Sequence, residues 1–483
     1  MVGFRLRLPI RCVTGSFCAA TAVACLLFGV SPALAGWSAP LSISAAHDTI
    51  SGLGLASGPS GDLAAWTFYD LQGKSTQIFG APGARYAVAP VNGTFGSERS
   101  VPAERANGTL LNLGDDHTAQ LILRRSGVNS FRPEVLLGGV DGTTSARLSV
   151  KGSAWAGRAG LAGNSRGELL LAWIGTSSSG RRQVWASVRP AGRRFSRPEL
   201  ISAAGNPQQV MAWISSPSHR TDRGGFAADM LVAFPTKQGR LIVRERRHLQ
   251  GWRRAEDIGP AAVGSVNGIA AHIGRDGRTI VAWSHQQLSE GGPLGPGYTQ
   301  VAVQPAGARS FLPAQTLERD PAAATPGEPV LLADNGRGFQ LAFIAQPGRP
   351  VAGLFPSFVR VSYSSGNRFG AVRTISAPGQ IVSGLRGGEG PFDDLLLWSA
   401  SSTAAGIVLP SGPAVYSASN PTSLHFDAPL QVSPGERAED ATAVFSPARG
   451  GWLAAWSGRP AYRSPLDPGP AQVRLAFCPE TCR

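Results

Sequence analysis

An all-β fold, closed into a ring of four-stranded blades, is what this chain predicts, and three observations predict it. The first is an apolar run that recurs after a tight, glycine-containing turn and ends in an aromatic residue. It reads Leu63-Ala64-Ala65-Trp66, Leu170-Leu171-Ala172-Trp173, Leu231-Val232-Ala233-Phe234, Ile280-Val281-Ala282-Trp283, Leu341-Ala342-Phe343, Leu395-Leu396-Leu397-Trp398 and Leu453-Ala454-Ala455-Trp456. The second is a landmark that follows each run: a glycine turn, an aromatic, then a β-rich stretch ending in a small residue, as in 192–202 and 366–376. Its aromatics are Phe95, Phe131, Phe195, Trp252, Phe311, Phe369 and Phe426, with spacings of 36, 64, 57, 59, 58 and 57 residues. The third is a match between the two ends of the repeat array. Trp37-Ser38-Ala39-Pro40-Leu41-Ser42-Ile43-Ser44 reads like Phe426-Asp427-Ala428-Pro429-Leu430-Gln431-Val432-Ser433. Self-similarity at a long, nearly fixed period is the signature of a repeat architecture.

Each element of the repeat has a local cause. In 158–202 the spacing predicts an inner strand near 159–163, a turn at Asn164-Ser165-Arg166-Gly167 and a second strand over 168–174. A third strand follows over 183–189, then the turn Pro190-Ala191-Gly192 and an outer strand over 195–202. The runs are short, rich in Val, Ile, Leu and aromatics, and punctuated by Gly and Pro. Four antiparallel strands in about 40–60 residues is the dimension of a β-propeller blade. A lone blade cannot bury both faces of its sheet, so blades pack face to face around an axis. The Ala-aromatic positions fill the gaps between them and are read as core rather than as ligand contacts.

Closure of the ring is legible too. The last repeat, 441–477, has three strands and no outer one, so the segment 37–44 is expected to complete it and remove an exposed edge. Counting that strand gives a single propeller of eight blades, of which 108–138 is short and lacks the Ala-aromatic pair. Seven blades with an irregular insertion is the alternative. The expected organisation is a processing segment over 1–35, the propeller over 36–477 and a short tail over 478–483.

The ends carry targeting and redox signals. Arg5, Arg7 and Arg11 form a basic region, 18–30 an apolar run too short for a comfortable membrane span, and Ala33-Leu34-Ala35 a small-x-small cleavage site. That is the secretory pattern, so a secreted or envelope-associated monomer with no membrane span after cleavage is expected. Of the five cysteines, Cys12, Cys18 and Cys25 leave with this segment, and Cys478 and Cys482 remain near the end. An even pair in an exported chain favours a disulfide that pins the tail. The formal charge of +14 falls to +11 when the three leading arginines go. It admits two readings: Arg-rich codon usage, or attraction to anionic envelope polymers. The arginines are scattered rather than run into blocks, and nucleic acid is not an expected partner.

The third-to-fourth-strand turns carry a family resemblance. Val91-Asn92-Gly93-Thr94-Phe95, Ala191-Gly192-Arg193-Arg194-Phe195, Ala306-Gly307-Ala308-Arg309-Ser310-Phe311 and Ser365-Gly366-Asn367-Arg368-Phe369 resemble the Asp boxes of the sialidase-like superfamily, of the type Ser-x-Asp-x-Gly-x-Thr-Trp. The Gly and the aromatic are present and the Asp is absent. Gly274-Arg275-Asp276-Gly277-Arg278-Thr279 is closer to an Asp box but is read as a hairpin turn, since it lies in the first turn of its repeat. The resemblance covers nearly the whole chain after 35 as architecture. It implies a sialidase-like glycoside hydrolase as the alternative activity, with an arginine triad on the substrate carboxylate and a Tyr–Glu nucleophile. No Tyr–Glu pair is assignable among the six tyrosines.

Antiparallel order fixes where a site belongs. First-to-second and third-to-fourth turns share one end of the ring and are tight. Second-to-third and blade-to-blade loops share the other end and are long, as in 67–85, 284–299, 345–357 and 457–471. Binding residues concentrate on loops held by a rigid scaffold. The expected binding face is therefore the long-loop channel mouth, with Tyr69, Asp70, His285, Glu290, Tyr298, Tyr462, Arg463 and Asp467 as candidates. Asp115-Asp116-His117 and Asp393-Asp394 follow Gly or Pro at strand starts and are assigned to turns. The seven histidines show no metal-ligand spacing, no nucleophile elbow or phosphate loop appears, and no cofactor is expected. The reading is a non-enzymatic propeller that binds an extracellular glycan, envelope polymer or protein. Two or three carboxylates converging with arginine at the channel mouth would favour the hydrolase instead.

Overall fold

The computed structural model describes residues 36–479 except 70–82, 102–104, 114–115, 126–130, 150–154, 178, 203–206, 208, 216–227, 238, 248–249, 260–263, 275, 289–293, 323–325, 335–337, 348–354, 392, 405–406, 421–424, 435 and 461–468. Eight antiparallel sheets follow one another along the chain. Their innermost strands are Thr49–Gly58, Arg105–Asn112, Trp155–Gly163, Met211–Ile214, Gly264–Ile273, Val330–Asp334, Gln380–Glu389 and Arg437–Ser446, which number blades 1 to 8. Each innermost strand contacts that of the next blade, and blade 8 contacts blade 1, so the ring closes. Among the described residues no helix is long and apolar enough to cross a membrane.

The N-terminal segment closes the ring as its sequence predicts. Leu41–Ser42 is the outer strand of blade 8, with Leu41 opposite Leu475 and Ser42 opposite Arg474. The Ser38 and Ile43 amides donate to Phe477 and Val473 carbonyls at 2.7 and 2.9 Å. Trp37 packs on the core between blades 7 and 8, and its indole N–H donates to Ser417 Oγ at 2.8 Å. Strand Gln472–Pro479, which would otherwise offer a bare edge, is covered.

Alternation along each second strand explains the core. In Leu169–Thr176, Leu169, Leu171 and Trp173 face blade 2, while Leu170, Ala172 and Ile174 face blade 4. The aromatic that ends each run always faces the preceding blade: Trp66, Trp173, Phe234, Trp283, Phe343, Trp398 and Trp456 are all at most 1% exposed. Seven of the eight inter-blade seams hold one apolar cluster each.

Blade 2 corrects the repeat reading. It is not short: its strands Arg105–Asn112, His117–Arg125, Phe131–Gly139 and Thr144–Ser149 make a full blade. Phe131 opens the third strand rather than following it, so the spacings of 36 and 64 reflect a misplaced landmark. The actual third turn is Val140-Asp141-Gly142-Thr143, where Asp141 accepts from the Thr143 amide at 2.9 Å and no aromatic is present. Two smaller corrections concern blade 3. Its inner strand begins at Trp155, with a bulge before Ala159. Its outer strand is only Glu199–Ser202, because Phe195 turns in to pack on the core. Gly274–Thr279 is a hairpin turn, closed by the Gly274 amide on the Arg278 carbonyl at 2.8 Å.

Candidate functional site

The sequence-predicted candidates divide sharply. Asp70, Glu290, Tyr462, Arg463 and Asp467 lie outside the described residues, and Tyr69 is placed only as the last residue of strand Gly61–Tyr69, opposite Thr49. His285 and Tyr298 come together. They are cross-strand partners in blade 5, and their rings stack at 5.2 Å with 17° between planes. Arg319, opposite Tyr298 on the next strand, lies over the same ring at 5.9 Å. Burial pushes the His285 imidazole down, partly offset by Gln300, whose Oε1 is 3.1 Å from Nε2. This ladder is a packed stack at the long-loop end of blade 5. Cys478 is fully buried and disulfide-bonded, while Cys482 lies outside the described residues.

The strand-start acids hold blades together. Asp116 takes the Ser60 amide at 2.7 Å across the seam of blades 1 and 2. Asp393 takes the Trp452 indole N–H at 2.8 Å, and Asp394 takes Gln340 Nε2 at 3.1 Å. Asp62, which the sequence reading passed over, is fully buried and ties the ring shut. It accepts from Ser446 Oγ at 2.7 Å and Arg449 Nε at 2.6 Å, both on blade 8. Buried carboxylates satisfied in this way are structural.

A second constellation, missed from sequence, lies on the axis. The innermost strands carry β-bulges in blades 1, 2, 3, 5, 7 and 8. In blades 1 and 7 the bulge contains a glycine in the left-handed region, Gly52 at φ 57° and Gly384 at φ 60°; in blade 8 that residue is Asp440 at φ 52°. A glycine takes this conformation freely and an aspartate at a cost, which makes Asp440 the irregular member of the set. Arg386, two residues past Gly384, donates from Nη1 to Glu328 Oε2 of blade 6 at 3.2 Å. Its charge also acts on Asp440 of blade 8, so one guanidinium interacts with carboxylates of two other blades. Glu439 adds a third carboxylate, held by Arg437 Nη2 at 2.7 Å.

Asp440 is solvent-exposed, but neighbouring protein displaces part of its water. That loss of water pushes its carboxyl up, Glu439 pushes it the same way, and Arg386 opposes both. Residues 328, 439 and 440 lie at the start of their inner strands or just before them, the long-loop end of the axis, while Arg386 lies past the middle of Gln380–Glu389. The chemistry present is three carboxylates and two arginines: hydrogen-bond acceptors and donors suited to hydroxyls or to a charged group. Among the described residues no three His, Cys, Asp or Glu side chains are grouped as a metal site.

Comparison with known proteins gives distant likenesses. No protein-family description and no curated relative matches the sequence. Among solved structures, a sialidase of Trypanosoma rangeli with bound sialic acid is similar over 80% of this chain and 56% of its own, at 12% identity and TM-score 0.35. An α-L-arabinofuranosidase of Fusarium graminearum matches over 66% and 91%, at 13% identity and TM-score 0.35. The β-propeller domain of the trilobed protease of Pyrococcus furiosus matches over 80% and 98%, at 9% identity and TM-score 0.39. The chain is a β-propeller with distant structural similarity to sialidases and arabinofuranosidases.

Proposed function

We propose that this chain is a secreted, non-enzymatic propeller that binds a glycan at the long-loop mouth of its axis. Asp440 carries the reading. An aspartate held in a left-handed bulge where two sister blades place glycine is the kind of backbone strain that persists at binding and switch sites. Around it, Arg386 and Glu328 supply a donor and an acceptor from two further blades. Carboxylate and guanidinium groups contributed by three blades suit the paired hydroxyls of a sugar. A rigid ring holds them without cost of ordering at the moment of binding. Localisation outside the cell rests on the leading 35 residues of the sequence alone.

One observation favours a second reading, a glycoside hydrolase. Burial raises the Asp440 carboxyl, and Glu439 beside it raises it further. A carboxyl raised by its surroundings is what such enzymes use as the general acid. The purified chain, applied to a glycan array and to a panel of fluorogenic glycosides that includes sialosides, separates the two. Retention of one glycan class without turnover supports the binding reading. Turnover above a heat-killed control that falls with Asp440→Asn establishes the hydrolase, and neither retention nor turnover removes both.

A further inference from the structure

Six exposed arginines of this chain share one arc of the opposite, tight-turn face. We propose that the third-to-fourth-strand turns of blades 3 to 6 form a docking surface for an anionic polysaccharide, carried by Arg193, Arg194, Arg197, Arg254, Arg309 and Arg368. This surface is separate from the axial site and does not depend on the function argued for it.

Three observations carry the proposal. All six side chains are exposed, and among the described residues none forms an ion pair. The acids of the same arc are already engaged: Glu199 pairs with Arg246 at 3.5 Å, Asp257 pairs with Arg240, and Glu256 takes the Phe311 amide at 2.9 Å. The cationic surplus is therefore open to solvent. The equivalent turns elsewhere in the ring lack it. Blade 1 has Asn92, Gly93 and Thr94 there, blade 2 has Asp141, and blade 7 has His425 and Asp427. At this turn, among the described residues, the unpaired arginines thus fall on four consecutive blades.

The same arc argues for the class of partner. Guanidinium groups recognise carboxylate and sulfate oxygens through paired N–H bonds. The turn aromatics Phe195, Trp252, Phe311 and Phe369 are packed into the inter-blade cores. No stacking platform for bases remains at these turns, so a single-stranded nucleic acid is disfavoured. The exposed large apolar residues of the arc are two isolated leucines, Leu200 and Leu312, too sparse for the apolar centre of a protein interface. An extended acidic sugar chain fits an arc of spaced arginines.

Two double variants of equal charge test this. Arg193→Ser/Arg194→Ser removes two charges from the arc. Arg181→Ser/Arg182→Ser removes two exposed charges from the opposite face of the same blade. Binding to immobilised polygalacturonate is measured at about 50 mM and about 500 mM salt, with thermal melting of each variant as the folding check. The proposal expects binding at low salt, loss by at least about tenfold at high salt, and weakening by about threefold or more only for the arc variant. Absence of binding at low salt, or equal weakening by both variants, overturns it. Charge-matched duplex DNA binding as tightly as the polysaccharide also overturns the assigned partner.

Discussion

Asp440 is the residue on which the proposed binding and the stability of the fold oppose each other. Replacing it with glycine releases a left-handed aspartate and is expected to raise stability by about 1 kcal/mol, seen as a higher melting temperature. The same change removes the carboxylate beside Arg386 and is expected to abolish glycan retention. Asp320 tests electrostatics away from the site. It is fully buried, accepts the Gln346 amide at 2.8 Å through Oδ1, and leaves Oδ2 without a hydrogen-bond partner. Burial raises its carboxyl to about 6, with the Gln346 bond pulling the other way. A carboxyl raised on folding costs stability as pH rises from its unfolded value near 4 to about 6, and the penalty is complete above that. Asp320→Asn, which keeps the acceptor for Gln346, should stabilise the chain at pH 7 by up to about 3 kcal/mol and flatten the melting profile between pH 4 and 6. Equal melting of the two proteins at pH 7 would contradict this. Neither residue was legible in sequence: a bulge geometry and a missing hydrogen-bond partner are tertiary facts.

The seam between blades 1 and 2 is the one whose apolar packing is split, and two positions of blade 2 account for it. Where seven blades set an aromatic against their predecessor, blade 2 has Ile122, with Gln120 beside it on the same face. The apolar cluster there splits in two. A cavity of about 40 Å³ lies between them, lined by Leu63, Tyr86, Leu110, Gln120 and Leu136 among others. Gln120 is buried and its Nε2 has no partner. Gln120→Met keeps the length and removes the unsatisfied amide, so a gain of about 1–2 kcal/mol is expected in denaturant unfolding. Trp283→Ala, in a filled seam, should cost about 3–5 kcal/mol. Hydrogen exchange should open Arg105–Asn112 and His117–Arg125 before the inner strands of blades 4 to 8. The missing Ala-aromatic pair marked this blade in the sequence. Its length was misread because Phe131, a strand-opening residue, imitates a turn landmark by composition alone.

At the scale of the whole molecule, closure and charge are the two readable properties. The ring joins its ends through Leu41–Ser42 because the outer-strand pattern recurs at residues 37–44, and that match needed no structure to see. Deleting 36–44 strips the cover from Gln472–Pro479 and takes Trp37 from its seam. The expected result is a lower melting temperature and concentration-dependent association through the bared edge, read by light scattering. Much of the expected site was not recoverable in the same way. Candidates on long loops were chosen by residue type and loop length, and His285 proved to be a packed stacking partner. The axial cluster instead draws on inner strands, whose bulges recur from blade to blade without a shared residue motif.

The most direct test of the axial binding account is glycan-array retention of the wild-type chain beside Asp440→Gly, with both proteins melted in the same buffer. The account predicts that wild type retains one glycan class, and that the glycine variant melts higher and retains none. A glycine variant that binds like wild type would contradict it, because the strained carboxylate would then have no part in recognition.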